Sequence, residues 1–445
     1  MKTKLFVWWI LVLEALAVAL FGLFVRFEDS ANAETIGDSE ATLAGSNQMS
    51  LYPVFQDVNV MIFIGFGFLM AFLKFHSWSS IGFNFLIAAF CIQFYILFFG
   101  FWHCLIKNEW DTPIEVNISK MITADYCAGT VLITFGAVLG KVSPSQLLVI
   151  GLFETCVYSL NEVIVFEEIK AVDVGGSIVI HTFGAFFGLF VAWVASPSAT
   201  PQSPNNESNY NSNIFAAVGT LFLWMYWPSF NSAIVVTPQE QQMAVFNTMI
   251  SLTGSALTSF GVSAAYNDSK FKMEDILNAS LAGGVIVGSS CNFIVYPAVA
   301  LLFGVFAGIV STFGFEVFNE YLASKVKLYD TCGVHYLHGL PGILGALLST
   351  VVIGACGSTD YDLDENKYRL EGSFGDQAVN QLLALLTTLG FAVFSGVLTG
   401  WIISRWNAPS ELFVDKVYWT ELETDQEFEL VNQVSTPREN TPAQC

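Results

Sequence analysis

From Ile276 to Phe315 the chain runs for 40 residues without a charged side chain, and four more charge-free stretches lie at 174–206, 209–238, 331–359 and 377–404. About 20 apolar residues in a helix span the hydrocarbon core of a bilayer, so the 40-residue run holds two such helices. Segments near 5–25, 54–73, 80–105, 120–140, 147–166 and 242–265 are long and apolar enough to join them. The expectation is an all-α multispanning membrane protein of about twelve transmembrane helices embedded in the lipid bilayer. Composition agrees: 54% of residues are hydrophobic, 12% are charged, and mean hydropathy is +0.57. This leaves no room for a soluble enzyme domain. The net charge of −21 would repel nucleic acid. The eight cysteines lie mostly in apolar segments without CxxC pairs, which indicates small packing residues rather than disulfides or zinc ligands.

Threading twelve spans from an inside N-terminus puts eleven Lys and Arg residues inside, among them Lys74, Lys141, Lys325, Lys327 and Arg405. Six fall outside: Arg26, Lys107, Lys120, Lys170, Lys367 and Arg369. The bias follows the positive-inside rule. It divides the chain into a membrane domain at 1–405 and an acidic cytoplasmic tail at 406–445, which a cytoplasmic partner could bind. Lys2 and Lys4, the apolar run from Leu5 to Val25 and then Ala31-Asn32-Ala33 imitate a signal peptide. The run is longer than the usual core of about 7 to 15 residues, and cleavage would leave eleven spans with the same downstream orientation. Of four Asn-X-Ser/Thr sequons, only Asn117 falls in an outer loop, which makes it the glycosylation candidate.

Two segments match each other. Asp173, Gly176, His181 and Gly188 repeat the spacing of Asp330, Gly333, His338 and Gly345, as D-x2-G-x4-H-x6-G. The first follows an outer loop and the second an inner one, so the two helices enter the membrane from opposite faces: an inverted repeat. Eight residues of helix put each histidine roughly 12 Å beyond its Asp, so two imidazoles meet at one depth. Ionisable groups there are expensive and mark a pathway. The alternatives are core histidines bonded to helix carbonyls, or ligation of zinc or copper. A shared spacing in both halves disfavours the first, and the lack of a Cys, Asp or Glu cluster disfavours the second. No metal or cofactor is expected. Asp173 and Asp330 read as helix N-caps that can also support a cation. Asp57, Asp125, Glu154 and Glu162 fall in or beside apolar segments, each open to a pathway, cap or interhelical-bond reading. His76 and His103 read as interface residues, and His335 either assists His338 or packs.

The motifs resemble those of the Rh glycoproteins, the animal branch of the ammonium transporter superfamily. The likeness runs through Tyr52 to Asp57, Ala124 to Cys127, Phe135 to Lys141, Gly175 to Gly184, Gly219 to Ile234 and Asp330 to Gly342, with Val417-Tyr418-Trp419 in the tail. It implies a homotrimer with one pore per subunit, in the plasma membrane, and no enzymatic activity. It also implies a gate of two aromatic rings above twin histidines: Tyr126 and Phe230 over His181 and His338. Tyr126 stands where the family usually has Phe in an Ala-Asp-Phe motif, and Ile234 where bacterial and plant relatives have Ser. Asp173, Asp330, Glu162 and Trp227 are the candidates for vestibule or cation support.

Physical chemistry supplies a mechanism. Ammonium, with a pKa of roughly 9 to 10 by analogy with simple amines, must shed its proton to enter an apolar pore, whereas sodium and potassium cannot shed charge. The expected function is conduction of ammonia, with ammonium deprotonated at the outer mouth and reprotonated inside. A gas channel that carries CO2 shares this pore, and a non-conducting membrane scaffold is the reading of a different class. Both histidines being present argues for conduction. An intramembrane hydrolase lacks the HExxH motif or nucleophile–base pair it would need.

Overall fold

A computed structural model describes residues 2–31, 39–356 and 372–420. The far end of the expected tail, 421–445, and the outer loop at 357–371 lie outside the described residues, as do Asn32 and Ala33 of the signal-peptide reading. The membrane segments in chain order are α1 (Lys2–Phe24), α2 (Tyr52–Phe72), α3 (Ser77–Lys107), α4 (Ile118–Val138), α5 (Pro144–Glu168) and α6 (Ser177–Ala195). They continue with α7 (Tyr210–Ser232), α8 (Pro238–Tyr266), α9, broken into Met273–Ala279 and Ala282–Ile286, α10 (Pro297–Val326), α11 (His335–Ala355) and α12 (Phe374–Ile403). Nine of them are both long and strongly apolar among the described residues. The other three, α7, α8 and α9, fill the remaining expected positions, so the twelve anticipated segments are met one by one.

The reason α7 and α8 are less apolar lies in α9. Its backbone leaves the helix at 287–296, and at membrane depth every freed carbonyl needs a donor from the protein. Asn247 on α8 donates to the carbonyls of Cys291 and Ile294, each at 2.8 Å. Ser251 donates to Gly283 (2.7 Å) and Ser255 to Ser280 (2.8 Å). From α7, Asn231 reaches the Gly284 carbonyl at 3.0 Å. The polar residues that depress the hydropathy of α7 and α8 are thus the donors that hold a broken helix inside the membrane.

Small residues set the packing. A methyl group at Gly304 on α10 would run into the Ser251 carbonyl of α8, and one at Gly396 on α12 would come within 2.6 Å of the Phe187 carbonyl on α6. Both pairs of helices therefore approach with their backbones nearly touching.

The loops sort onto two faces. Lys74 pairs with Glu207 at 2.8 Å, Asp415 N donates to Phe75 O, Phe413 N to Gly140 O, and Lys141 Nζ to Tyr329 O. These contacts gather the segments around 75, 140, 207, 329 and 415 on one face. On the other, the strands β1 (Val25–Phe27) and β2 (Ile114–Val116) pair in parallel, Lys107 bonds Glu168 at 2.7 Å, and Gln377 reaches the Lys170 carbonyl. This is the alternation the charge count anticipated. The start of the tail is not a free solvated strand: residues 413–419 dock on the start of α3, where the Asp415 carboxylate accepts from the Trp78 and Ser79 N–H groups (2.9 and 2.7 Å) and Trp419 Nε1 donates to Ser79 Oγ.

Candidate functional site: two histidines between a ring pair and a cavity

Each histidine sits where a helix is locally wound to i→i+5 bonds, over Ser177–Thr182 and His335–Gly339. Both windings begin after a glycine in the left-handed region, Gly176 at φ +70° and Gly333 at φ +68°, where a side chain would be strained. Both begin under a carboxylate. Asp173 Oδ2 accepts from the N–H groups of Ile178 (3.0 Å) and Val179 (2.8 Å), and Asp330 Oδ2 accepts from His335 N–H at 2.9 Å. In each half the Asp holds the residue five places on, and the histidine follows within one turn. The repeated spacing is a repeated local structure.

The two halves converge on the imidazoles. His181 Nδ1 and His338 Nδ1 are 3.1 Å apart, the ring centroids are separated by 5.1 Å, and the planes differ by 16°. Two nitrogens at that distance cannot both carry a proton, so one ring presents Nδ1–H to the bare Nδ1 of the other and the pair holds opposite tautomers. Both rings are nearly inaccessible, at 1% and 3%. His181 stacks on Trp227 (5.6 Å, 27°) and His338 on Phe66 (6.1 Å, 18°). His181 Nε2 has no hydrogen-bond partner.

Beyond His181 lies Phe230, 6.1 Å away, with Tyr126 packed against it at 4.5 Å and 48°. Below His338 is a cavity of about 80 Å³ lined by Phe66, Leu132, Glu274, Asn278 and Cys332 among others. It opens on the face that carries Lys141 and the docked tail. Ring pair, His181, His338 and cavity form one series through the protein.

The other expected residues are placed as follows. Trp227 was anticipated in the vestibule. It lies three residues before Phe230 on the same face of α7, one turn deeper, and this carries it past the ring pair onto His181. Asp173 was anticipated as an N-cap that could also support a cation; it does hold the helix start, with Oδ2 serving the backbone while Ser289 Oγ donates to Oδ1. Ser289 belongs to the break in α9, where Gly175 N also donates to the Gly288 carbonyl, so Asp173 pins the start of α6 to that break. Asp330 faces Lys141. The buried Lys141 ammonium, held between α4 and α5, is pushed down to about 8 by burial, against a smaller upward pull from Asp330. Glu162, the acid expected at the vestibule, is buried among α3, α4 and α5 beside Tyr95 and Lys120. Asn117 caps α4, accepting from Lys120 N at 2.7 Å and donating to Glu28. Among the remaining acids, Asp57 accepts from Ser229 Oγ at 2.6 Å and Glu154 from Thr134 at 2.7 Å. Asp125 is buried with no hydrogen bond to either oxygen. Sequence reasoning missed Phe66, one of 41 phenylalanines with no distinguishing spacing, and Ser289, which only the break in α9 brings to Asp173. Among the described residues no three His, Cys, Asp or Glu side chains cluster as a metal site.

Comparison with known proteins agrees with this architecture. Residues 17–416 match the Ammonium Transporter Family. The chain belongs to that family. It is 45% identical over 424 residues to an ammonium transporter Rh type B of Xenopus tropicalis, covering 92% of this chain and 91% of that protein. It is 41% identical to an ammonium transporter Rh type C of Canis lupus familiaris, with 97% of each chain covered. Among solved structures, the Nitrosomonas europaea Rh50 channel superposes with a TM-score of 0.74 at 31% identity, covering 88% of this chain and 98% of that one. Family membership makes this chain a multi-pass membrane protein of the transporter and channel class, not an enzyme.

Proposed function

We propose that the protein conducts ammonia across the membrane along the series of groups from the Tyr126–Phe230 ring pair, past His181 and His338, to the inner cavity. The observation that carries this reading is the imidazole pair, buried at 1% and 3% with Nδ1 facing Nδ1 at 3.1 Å. A wall of Leu and Phe would strip water from ammonium but could offer nothing in return. Paired imidazoles can donate to and accept from ammonia and can relay a proton, while their aromatic stacking partners keep the surroundings apolar. Ammonium gives up its proton to water at the outer mouth, neutral ammonia passes the rings, and it takes a proton back from water in the cavity that Glu274 borders. Sodium and potassium are rejected because they keep their charge and the passage offers them no full set of oxygen ligands.

The same reading makes the assembly a homotrimer with one pore per subunit, in the plasma membrane, with the tail on the cytoplasmic side. The names of the Rh type B and type C relatives support ammonium as the transported species. Conduction is tested in liposomes that hold a pH-sensitive dye under an inward ammonium gradient. Wild type should alkalinise the lumen faster than both empty vesicles and a His181→Ala, His338→Ala double mutant. Equal initial rates in all three would exclude the proposal and leave a scaffold or a CO2 channel.

A further inference from the structure

Phe230 lies in the last turn of α7, where backbone carbonyls have no N–H four residues ahead to bond them. Other groups meet these carbonyls. Ser232 Oγ donates to Ser229 O (3.4 Å), Cys291 Sγ to Asn231 O (3.9 Å), and Gln241 Nε2 with Val235 N to Ser232 O (3.3 and 3.2 Å). The fourth carbonyl, that of Phe230, takes the shortest and best of these bonds, from the Tyr126 hydroxyl at 2.6 Å. That hydroxyl arrives from another helix and belongs to the ring that packs on Phe230, so the carbonyl it covers lies at the closed ring pair itself.

A bare carbonyl at this point would be an acceptor for a permeating cation, as ring carbonyls are in cation-selective filters. Ile234, four residues further along the chain, offers no side-chain oxygen in its place. We infer that Tyr126 sets the charge selectivity of the pore by holding the Phe230 carbonyl, so that ammonium finds no acceptor between the rings and only the neutral amine goes on. This rests on the reading of the series as an ammonia path. Tyr126 acts through the carbonyl and is a positioning residue; its phenol need not touch the permeant.

The test measures two quantities in the same liposomes: the initial rate of lumen alkalinisation and the charge moved, read with a potential-sensitive dye under an ammonium gradient. Tyr126→Phe removes one oxygen and keeps the ring, and its folding is checked by size exclusion and thermal unfolding. A freed carbonyl that accepts from a charged donor should raise the charge moved per ammonia delivered by about tenfold. A merely structural hydroxyl would lower both quantities together and leave their ratio alone. As a second variant, 3-fluorotyrosine at position 126 keeps a stronger donor and should keep the wild-type ratio. An unchanged ratio in Tyr126→Phe, loss of ammonia delivery in a folded Tyr126→Phe, or a raised ratio in the fluorotyrosine protein would each overturn the inference while leaving the pore intact. Failure of wild type to exceed empty vesicles in the rate of lumen alkalinisation would remove the ammonia path, and this inference with it.

Discussion

Substituting Asp173 separates two roles that a carboxylate at a pore can play. Its side chain accepts hydrogen bonds from Ile178 N–H, Val179 N–H and Ser289 Oγ. Asp173→Ala orphans all three donors in a site 2% exposed. Each buried donor left unpaired costs about 1–3 kcal/mol, so the sum is on the order of 3–9 kcal/mol. The loss falls on the turn that carries His181, whose N–H bonds Gly176 O at 2.8 Å. The prediction is a large drop in thermal stability in detergent together with loss of alkalinisation in liposomes. Asp173→Asn keeps one oxygen and sets an amide against the donors at the other position, so stability and rate should both fall part of the way. The two readouts move together because the carboxylate builds the helix start and the helix start places the imidazole. If Asp173→Ala unfolds within a degree or two of wild type yet conducts nothing, the carboxylate acts on the permeating cation and the capping account is refuted.

Four further outcomes follow from named contacts. Burial lowers Lys141 to about 8 in the folded protein, while in the unfolded chain it titrates near its ordinary 10.5; the unfolded state therefore binds more protons between those values, and stability should rise with pH from about 8 to 10.5, by at most ~3 kcal/mol. Thermal midpoints across that range should climb less in Lys141→Met than in wild type, and identical slopes would sink the assignment. Gly304→Ala drives a methyl group into the Ser251 carbonyl and should destabilise by about 1–3 kcal/mol or prevent folding, whereas Gly261→Ala, which meets nothing, should be neutral or stabilise by up to ~1 kcal/mol; thermal unfolding of the two purified variants discriminates. Asp415→Ala releases the Trp78 and Ser79 amides and should cost about 0.5–2 kcal/mol, the range for losing a helix cap; faster hydrogen exchange confined to the start of α3 is the expected signature. Gln93 Nε2 bonds Glu14 at 2.7 Å between α3 and α1, so Gln93→Leu should loosen α1 and raise protease cutting after Arg26 without changing the alkalinisation rate.

What the sequence made legible was whatever repeats or has a fixed length. Apolar runs of bilayer length located the spans, and the D-x2-G-x4-H-x6-G pair located both imidazoles because each element of that pattern has a separate physical job: an acceptor for the first N–H groups, a left-handed residue, and a side chain at fixed depth. Such requirements are local, so they can be written into a dozen residues. The stacking of Phe66 on His338 and the bond from Ser289 to Asp173 are not local. They join α2 to α11 and the break in α9 to the start of α6, and no spacing along one chain encodes which phenylalanine or serine will arrive there. Trp227 shows the intermediate case. Its helix was foreseen, but its depth relative to Phe230 depends on the turn between them, and one helical turn separates a vestibule from a histidine.

On the proposed function, the same contrast explains how a passage for a neutral amine coexists with so many polar groups in hydrocarbon. Asn231, Asn247, Ser251 and Ser255 spend their donors on the backbone of α9 and its break, Asp173 spends its oxygens on α6 and Ser289, and Tyr126 spends its hydroxyl on the ring pair. Polar groups committed in this way stabilise the walls without offering the permeant a ligand. Along the series from ring pair to cavity, His181 Nε2 and the Nε1 of the Trp227 stacked on it keep no partner, while His181 Nδ1 is shared with His338. A permeant that gains from one or two hydrogen bonds to imidazole can use that arrangement, and one that needs a shell of oxygens cannot. Selectivity on this account resides as much in where the surrounding donors and acceptors are already engaged as in the two histidines and the Trp227 indole that remain available.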